Sequence, residues 1–195
     1  MIDQILLDKL NQTIIDSGVK MEGNLFYYHQ TIPGGELYPS FANKRKNLQL
    51  LAKKFNSILE IGFNGGHSAA LMLEANPKLH LTSVDIGDHK YVVPCSEVIQ
   101  EAFPGRHTLI VKNSALMTSD DMKGHKAIII DGGHEFGACY KDISLCIEYC
   151  KPKTVVVIDD YNFSGVRAAF DNFRNNFTSW DKIEGDDTQA FFQLN

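Results

Sequence analysis

The sequence predicts an α/β chain built as a doubly wound, mostly parallel seven-stranded sheet that closes with a C-terminal antiparallel hairpin. Three observations carry this reading. From residue 43 onward, short β-branched runs alternate with helical segments, the pattern of βαβ units. The first run leads straight into glycines, as a strand does when it turns into a helix. The last two runs are joined by too few residues for a crossover, so they must pair antiparallel.

The elements follow in order. The opening stretch MIDQILLDKLNQTIIDSG places Ile2, Ile5, Leu6, Leu10 and Ile14 at helical spacing and reads as an amphipathic helix. It carries acids where an export signal would carry basic charge, so no such signal is expected. Residues 19–42 are rich in aromatics, Gly and Pro without a period, and read as a loop able to cover a substrate site. Residues 43–56 read as a helix, from Leu48, Leu51, Ala52 and Phe55. Strands are expected at 57–62, 79–85, 107–112, 127–131 and 154–159. Helices are expected between and after them, at 66–75, 91–103, 115–122, 135–150 and 166–177. Residues 179–184 and 190–194 complete the hairpin. At 195 residues the chain is read as one domain, with 1–42 as helix and cover and 43–195 as the core.

Composition narrows the function. A net charge of -5 and a pI near 5.8 argue against binding nucleic acid, which demands clustered Lys and Arg. No window approaches the ~18 apolar residues of a membrane span, so no membrane partner is expected. A small-molecule partner fits better, and a homo-oligomer stays open. Cys139, Cys146 and Cys150 fall on or near one helix face. They read, with Cys95, as reduced small apolar residues of a cytoplasmic protein rather than as metal ligands.

The chemistry gathers at strand ends. In SILEIGFNGGHSAALML the glycines let the backbone approach a ligand at the carboxyl edge of the sheet. The next strand ends at Asp85, about twenty residues on, where a carboxylate can accept both hydroxyls of a ribose. Together the two features point to a nucleoside-containing cofactor. Asp131 ends the fourth strand, and Asp159 and Asp160 end the fifth. Three carboxylates at neighbouring tips repel by several kcal/mol unless a cation compensates, and a hard divalent ion such as Mg²⁺ would do so. Helix capping explains Asp159 or Asp160 alone, but not the third acid. His134, three residues after Asp131, has a side chain suited to general base catalysis.

The motifs LEIGFNGGHS, SVDIG, IIIDGGHEF and VIDDYNFSGVRAAFDNF resemble those of the class I S-adenosylmethionine-dependent methyltransferases, whose fold is Rossmann-like. Within that class they are similar to the metal-dependent O-methyltransferases of the catechol and the macrolide and antibiotic sugar types. The resemblance covers about residues 43–194. It implies that Glu60, Gly62, Asn64, Gly66 and Ser68 line S-adenosylmethionine, that Asp85 holds its ribose, and that Ser114 lies near its adenine. It further implies that Asp131, Asp159 and Asp160 bind the metal, with Asp131 also bordering the cofactor and the chemistry, and that His134 is the base. Catechol enzymes carry lysine at the base position and asparagine as the last ligand, so His134 and Asp160 lean towards the sugar enzymes. Asn64 departs from the family by replacing the middle glycine of E-x-G-x-G-x-G. The expected activity is methyl transfer to a hydroxyl of a small sugar or other vicinal diol, with a catechol-type phenol as the alternative. Two rivals stay open. A nucleotide-linked dehydrogenase would prefer G-x-G-x-x-G, which Gly62, Gly65 and Gly66 do not make. A non-catalytic binding protein would have no use for three acids beside a histidine.

Overall fold

The computed structural model describes residues 2–29, 31, 33–180 and 188–195. Helix α1 (Gln4–Asp16) starts at Asp3, whose side chain accepts the N–H of Ile5. Leu6, Leu7, Leu10 and Ile14 are its buried face, whereas Ile5, which the spacing put on that face, is exposed. The described residues between 19 and 41 then show little regular structure. An antiparallel bridge joins Tyr27 to Leu37, and a 3₁₀ turn at Pro39–Phe41 leads into α2 (Ala42–Lys54).

The core alternates as expected, through β1 (Ser57–Ile61), α3 (His67–Ala75), β2 (His80–Asp85), α4 (Val92–Ala102) and β3 (His107–Val111). It continues with α5 (Ser119–Met122), β4 (Ala127–Ile130), α6 (Phe136–Tyr149), β5 (Val155–Ile158) and α7 (Ser164–Asp171), and ends with β6 (Phe177–Ser179) and β7 (Ala190–Leu194). The sheet order is β3-β2-β1-β4-β5-β7-β6. The first five strands are parallel, and β7 inserts antiparallel between β5 and β6, with Val155 opposite Gln193 and Phe177 opposite Leu194.

Both faces of the sheet are covered, which is why its strands read as apolar runs rather than alternations. Ile58, Ile129 and Val157 pack into the cluster under α1, α2, α3 and α4. Their neighbours Leu59, Ile128, Ile130, Val156 and Ile158 pack into the cluster under α6 and α7. Each such buried side chain contributes ~1.5–3 kcal/mol of transfer free energy. The thiols of Cys95, Cys139 and Cys146 are buried and all four cysteines are free. Among the described residues, no helix is long and apolar enough to cross a membrane.

Three boundaries differ from the sequence reading. The helix expected at 115–122 splits into a 3₁₀ turn at Ser114–Leu116 and the short α5, because the Thr118 side chain and Asp121 form a capping box that restarts the helix. The helix expected at 166–177 ends at Asp171, and Phe177 opens β6 because its ring is buried in the core. The sixth strand therefore precedes the expected 179–184, of which residues 181–184 lie outside the described residues.

Candidate active site

The glycine turn is shaped first by the protein itself. Gly62 sits at φ +96°, and a Cβ there would come within 2.0 Å of the backbone oxygen of Asp131. Its N–H donates to the carbonyl of Val84, so β1 passes the β2 and β4 tips with no room for a side chain. Asp85 then fastens the turn. Its Oδ2 accepts the N–H groups of Phe63 and Asn64 at 2.9 and 2.8 Å, and its Oδ1 accepts that of Gly87 at 2.8 Å. Asn64 holds the left-handed φ of +50° and reaches the covering segment, donating to the Gly23 carbonyl at 3.0 Å and accepting the Tyr91 hydroxyl at 2.7 Å. Gly66 caps α3 in the left-handed conformation.

Beneath the turn lies a buried polar chain. Glu60, fully buried, accepts hydrogen bonds from the hydroxyls of Ser68 and Ser83, and the Ser83 hydroxyl contacts Nε2 of His107. Burial pushes the Glu60 carboxyl up to about 7, against the opposing effect of its two hydroxyl donors. Ser68, expected to line S-adenosylmethionine, thus spends its proton on Glu60.

Four further predicted residues, Asp131, His134, Asp159 and Asp160, lie at the next two tips. The N–H of Asp131 donates to Ile61 and that of Asp159 to Ile130, so both acids continue their strands' ladders. Ligand atoms of Asp131, His134 and Asp160 lie within 4.8 Å of one another. His134 Nε2 lies 2.8 Å from Asp160 Oδ2, and its ring stacks on Phe163 with centroids 5.4 Å apart. Asp159 points elsewhere: its Oδ2 is 2.6 Å from Lys44 Nζ, and its Oδ1 accepts the N–H of Asp160.

Charge is crowded here. Desolvation and then Asp159 push the Asp131 carboxyl well above its usual range. Asp159 is also raised by burial, although Lys44 opposes this. Burial favours a raised Asp160 too, but the His134 hydrogen bond and Lys44 outweigh it and hold that carboxyl low. The Asp160 bond in turn raises His134 above its ordinary value, so this pairing favours an imidazolium. For Lys44, burial opposes the charge, and the three carboxylates more than restore it.

The residue profile of a family described as "Methyltransferase domain" matches residues 59–161, from β1 through the β5 tip. The chain belongs to the methyltransferase-domain family. No curated protein matches it. Solved structures share its fold at low identity. One is the O-methyltransferase from Bacillus cereus in complex with S-adenosylhomocysteine, with TM-score 0.68, 16% identity, and 99% of this chain and 92% of that one covered. Another is TomG from Streptomyces achromogenes in complex with S-adenosylmethionine, an O-methyltransferase involved in tomaymycin synthesis, with TM-score 0.66, 17% identity and coverage of 100% and 90%. A third is CalS11, a TDP-rhamnose 3'-O-methyltransferase of calicheamicin biosynthesis, with TM-score 0.61, 14% identity and coverage of 97% and 93%.

The residues of this methyltransferase domain fit the two groups its resemblance implies. Three oxygen or nitrogen ligand atoms within 4.8 Å of one another, two of them from carboxyl groups, suit a divalent cation. At the β3 end, Ser114 hydrogen-bonds Asp142, whose Oδ1 is buried and has no partner of its own. Burial raises that carboxyl to about 6. Such an orphaned acceptor suits a donor of the kind an adenine amino group presents. The sequence reading missed Lys44. Its one signal was the cationic run Lys44, Arg45, Lys46 in the first turns of α2, where the helix dipole disfavours positive charge.

Proposed function

We propose that this methyltransferase domain moves a methyl group from S-adenosylmethionine to a hydroxyl oxygen of a small molecule, a sugar or other vicinal diol, with a divalent cation, Mg²⁺ or a relative, in the acidic cluster. The observation that carries this reading is the convergence of Asp131, His134 and Asp160 beside the glycine turn. The folds shared with cofactor-bound O-methyltransferases, and with a sugar O-methyltransferase, support it.

Bound S-adenosylmethionine supplies a methyl on a positive sulfonium, so the chain's task is to position, to exclude water and to move one proton. Glu60, Gly62, Asn64, Gly66, Ser68, Asp85 and Ser114 form the cofactor edge, partly by direct contact and partly by fixing the turn. Asp131, Asp160 and, once released from Lys44, Asp159 would hold the cation, which would supply a lowered pKa for acceptor hydroxyls. His134, positioned by its stack on Phe163, takes the hydroxyl proton on its imidazole once the proton it shares with Asp160 has left the ring for solvent. Residues 19–42 cover the site.

Phe163, exposed at the ring stacked on His134, offers a flat apolar wall and favours a second acceptor class, a catechol-type phenol. Free cysteines and a small neutral acceptor suit a cytoplasmic setting. The test is transfer of labelled methyl into pooled sugars, nucleotide sugars and catechols, with Mg²⁺ and with chelator. Label in a sugar pool only when Mg²⁺ is present is the expected result. Full transfer in chelator removes the metal from the reading, and no transfer to any hydroxyl overturns it.

A further inference from the structure

Lys44 stands where a metal-binding site has no need of an amine. Its Nζ lies 2.6 Å from Asp159 Oδ2 and 3.9 Å from Asp160 Oδ1, with its side chain 12% exposed and that of Asp159 2%. It is delivered from α2, an element outside the strand tips that supply the acids. Local preference does not put it there, since a cation in a helix's first turn opposes the dipole. Neighbouring contacts hold that turn in place. Lys44 lies over the Phe41 ring at 5.8 Å, and Arg45 donates to the carbonyls of Leu25 and Tyr38 at 2.9 and 3.3 Å.

We propose that the Lys44 ammonium is the resident counter-ion of the acidic cluster and that a divalent cation enters by expelling it. This rests on the metal reading above. Three carboxylates this close need compensation, and Lys44 supplies one charge of it. Two cations drawn to the same carboxylates repel, and the repulsion is strong where burial limits solvent screening. The lysine has four rotatable carbons with which to leave, and its charge recovers hydration outside. Lys44 therefore sets the metal affinity: it keeps the empty site stable and makes the filled one weaker. The exchange is a competition between two cations for Asp159 and Asp160, not a step of methyl transfer.

Two measurements on the purified protein test this, both without cofactor. Electron paramagnetic resonance of free Mn²⁺ gives the affinity of the parent and of Lys44→Met. The variant is expected to bind at least about tenfold more tightly, the direction that loss of a competing positive charge requires. Equal or weaker binding by a folded Lys44→Met overturns the proposal while leaving the metal reading intact. No Mn²⁺ binding by either protein overturns both. Should Lys44→Met not fold, the parent alone decides. Amine acylation read by mass spectrometry should find Lys44 protected without metal and several-fold more reactive with saturating Mn²⁺, with exposed Lys123 unchanged as control. Unchanged Lys44 reactivity at saturating Mn²⁺ overturns the proposal.

Discussion

The carboxylate of Asp85 accepts the backbone N–H of Asn64 at 2.8 Å, so the residue at the β2 tip dictates the path of the turn after β1. The same oxygen takes the N–H of Phe63. Asp85→Ala should strand these two donors and the N–H of Gly87, and cost ~1–3 kcal/mol of stability, the penalty for unmade charge-assisted bonds. Urea denaturation measures this. Calorimetry with S-adenosylhomocysteine should show weaker binding as well, since the turn that meets the cofactor loses its anchor.

Asp131→Asn should stabilise the protein in the absence of metal. The native Asp131 carboxyl is pushed above its unfolded value, so its ionised form costs stability at neutral pH, and the amide removes that cost. A rise of ~1 kcal/mol in chelator is expected from urea midpoints, together with weaker Mn²⁺ binding. A fall in stability would mean that Asp131 is compensated already.

Stability should also respond to pH through His67, which is buried at 4% exposure with Nε2 at 3.2 Å from Asn11 Oδ1. Burial lowers its pKa to about 4. Between the unfolded value near 6.5 and about 4, the unfolded chain binds a proton that the folded chain refuses, so stability falls as pH falls. Between pH 7 and 5 the parent should lose roughly 2 kcal/mol more than His67→Gln. Glu60 and Asp142, whose raised pKa values act in the opposite sense there, are present in both proteins and cancel.

Gly62→Ala should be among the most damaging single changes in the chain. The added methyl meets the Asp131 carbonyl at 2.0 Å, backbone against backbone, at a φ that alanine rarely adopts. A loss of about 3 kcal/mol or more is expected in chemical denaturation. Any folded fraction should show weakened Mn²⁺ binding, because relief requires Asp131 to move.

Much of this site was legible because strand tips share an edge. A run such as KAIII or TVVVI says where a strand ends, and parallel strands then bring Asp131 and Asp159 together without further information. Asp85 was legible as a position but not in its partners, since the turn's amides are found only in three dimensions. Lys44 was hidden for a related reason: its ion pair joins α2 to β5, and no local period records that pairing. The restart at α5 could have been read from Thr118 and Asp121, a capping-box pattern inside an otherwise helical stretch. At 166–177 the apolar spacing continues past the helix because Phe170 and Phe177 both enter the same core cluster, one from α7 and one from β6.

The pairing of β1 with β4 has a consequence for how the molecule assembles. Ile58 lies opposite Ala127, with two strands and three helices between them in the chain. Closing so long a loop costs entropy before any contact repays it, whereas β1, β2 and β3 pair through shorter excursions. The acids of the candidate site lie beyond that late closure, on β4 and β5, and face Gly62 only once it is made. A nascent chain can thus gather its first three strands while its carboxylates are still far apart in water. Their mutual repulsion enters with the closing steps of folding, when the rest of the sheet is in place to bear it.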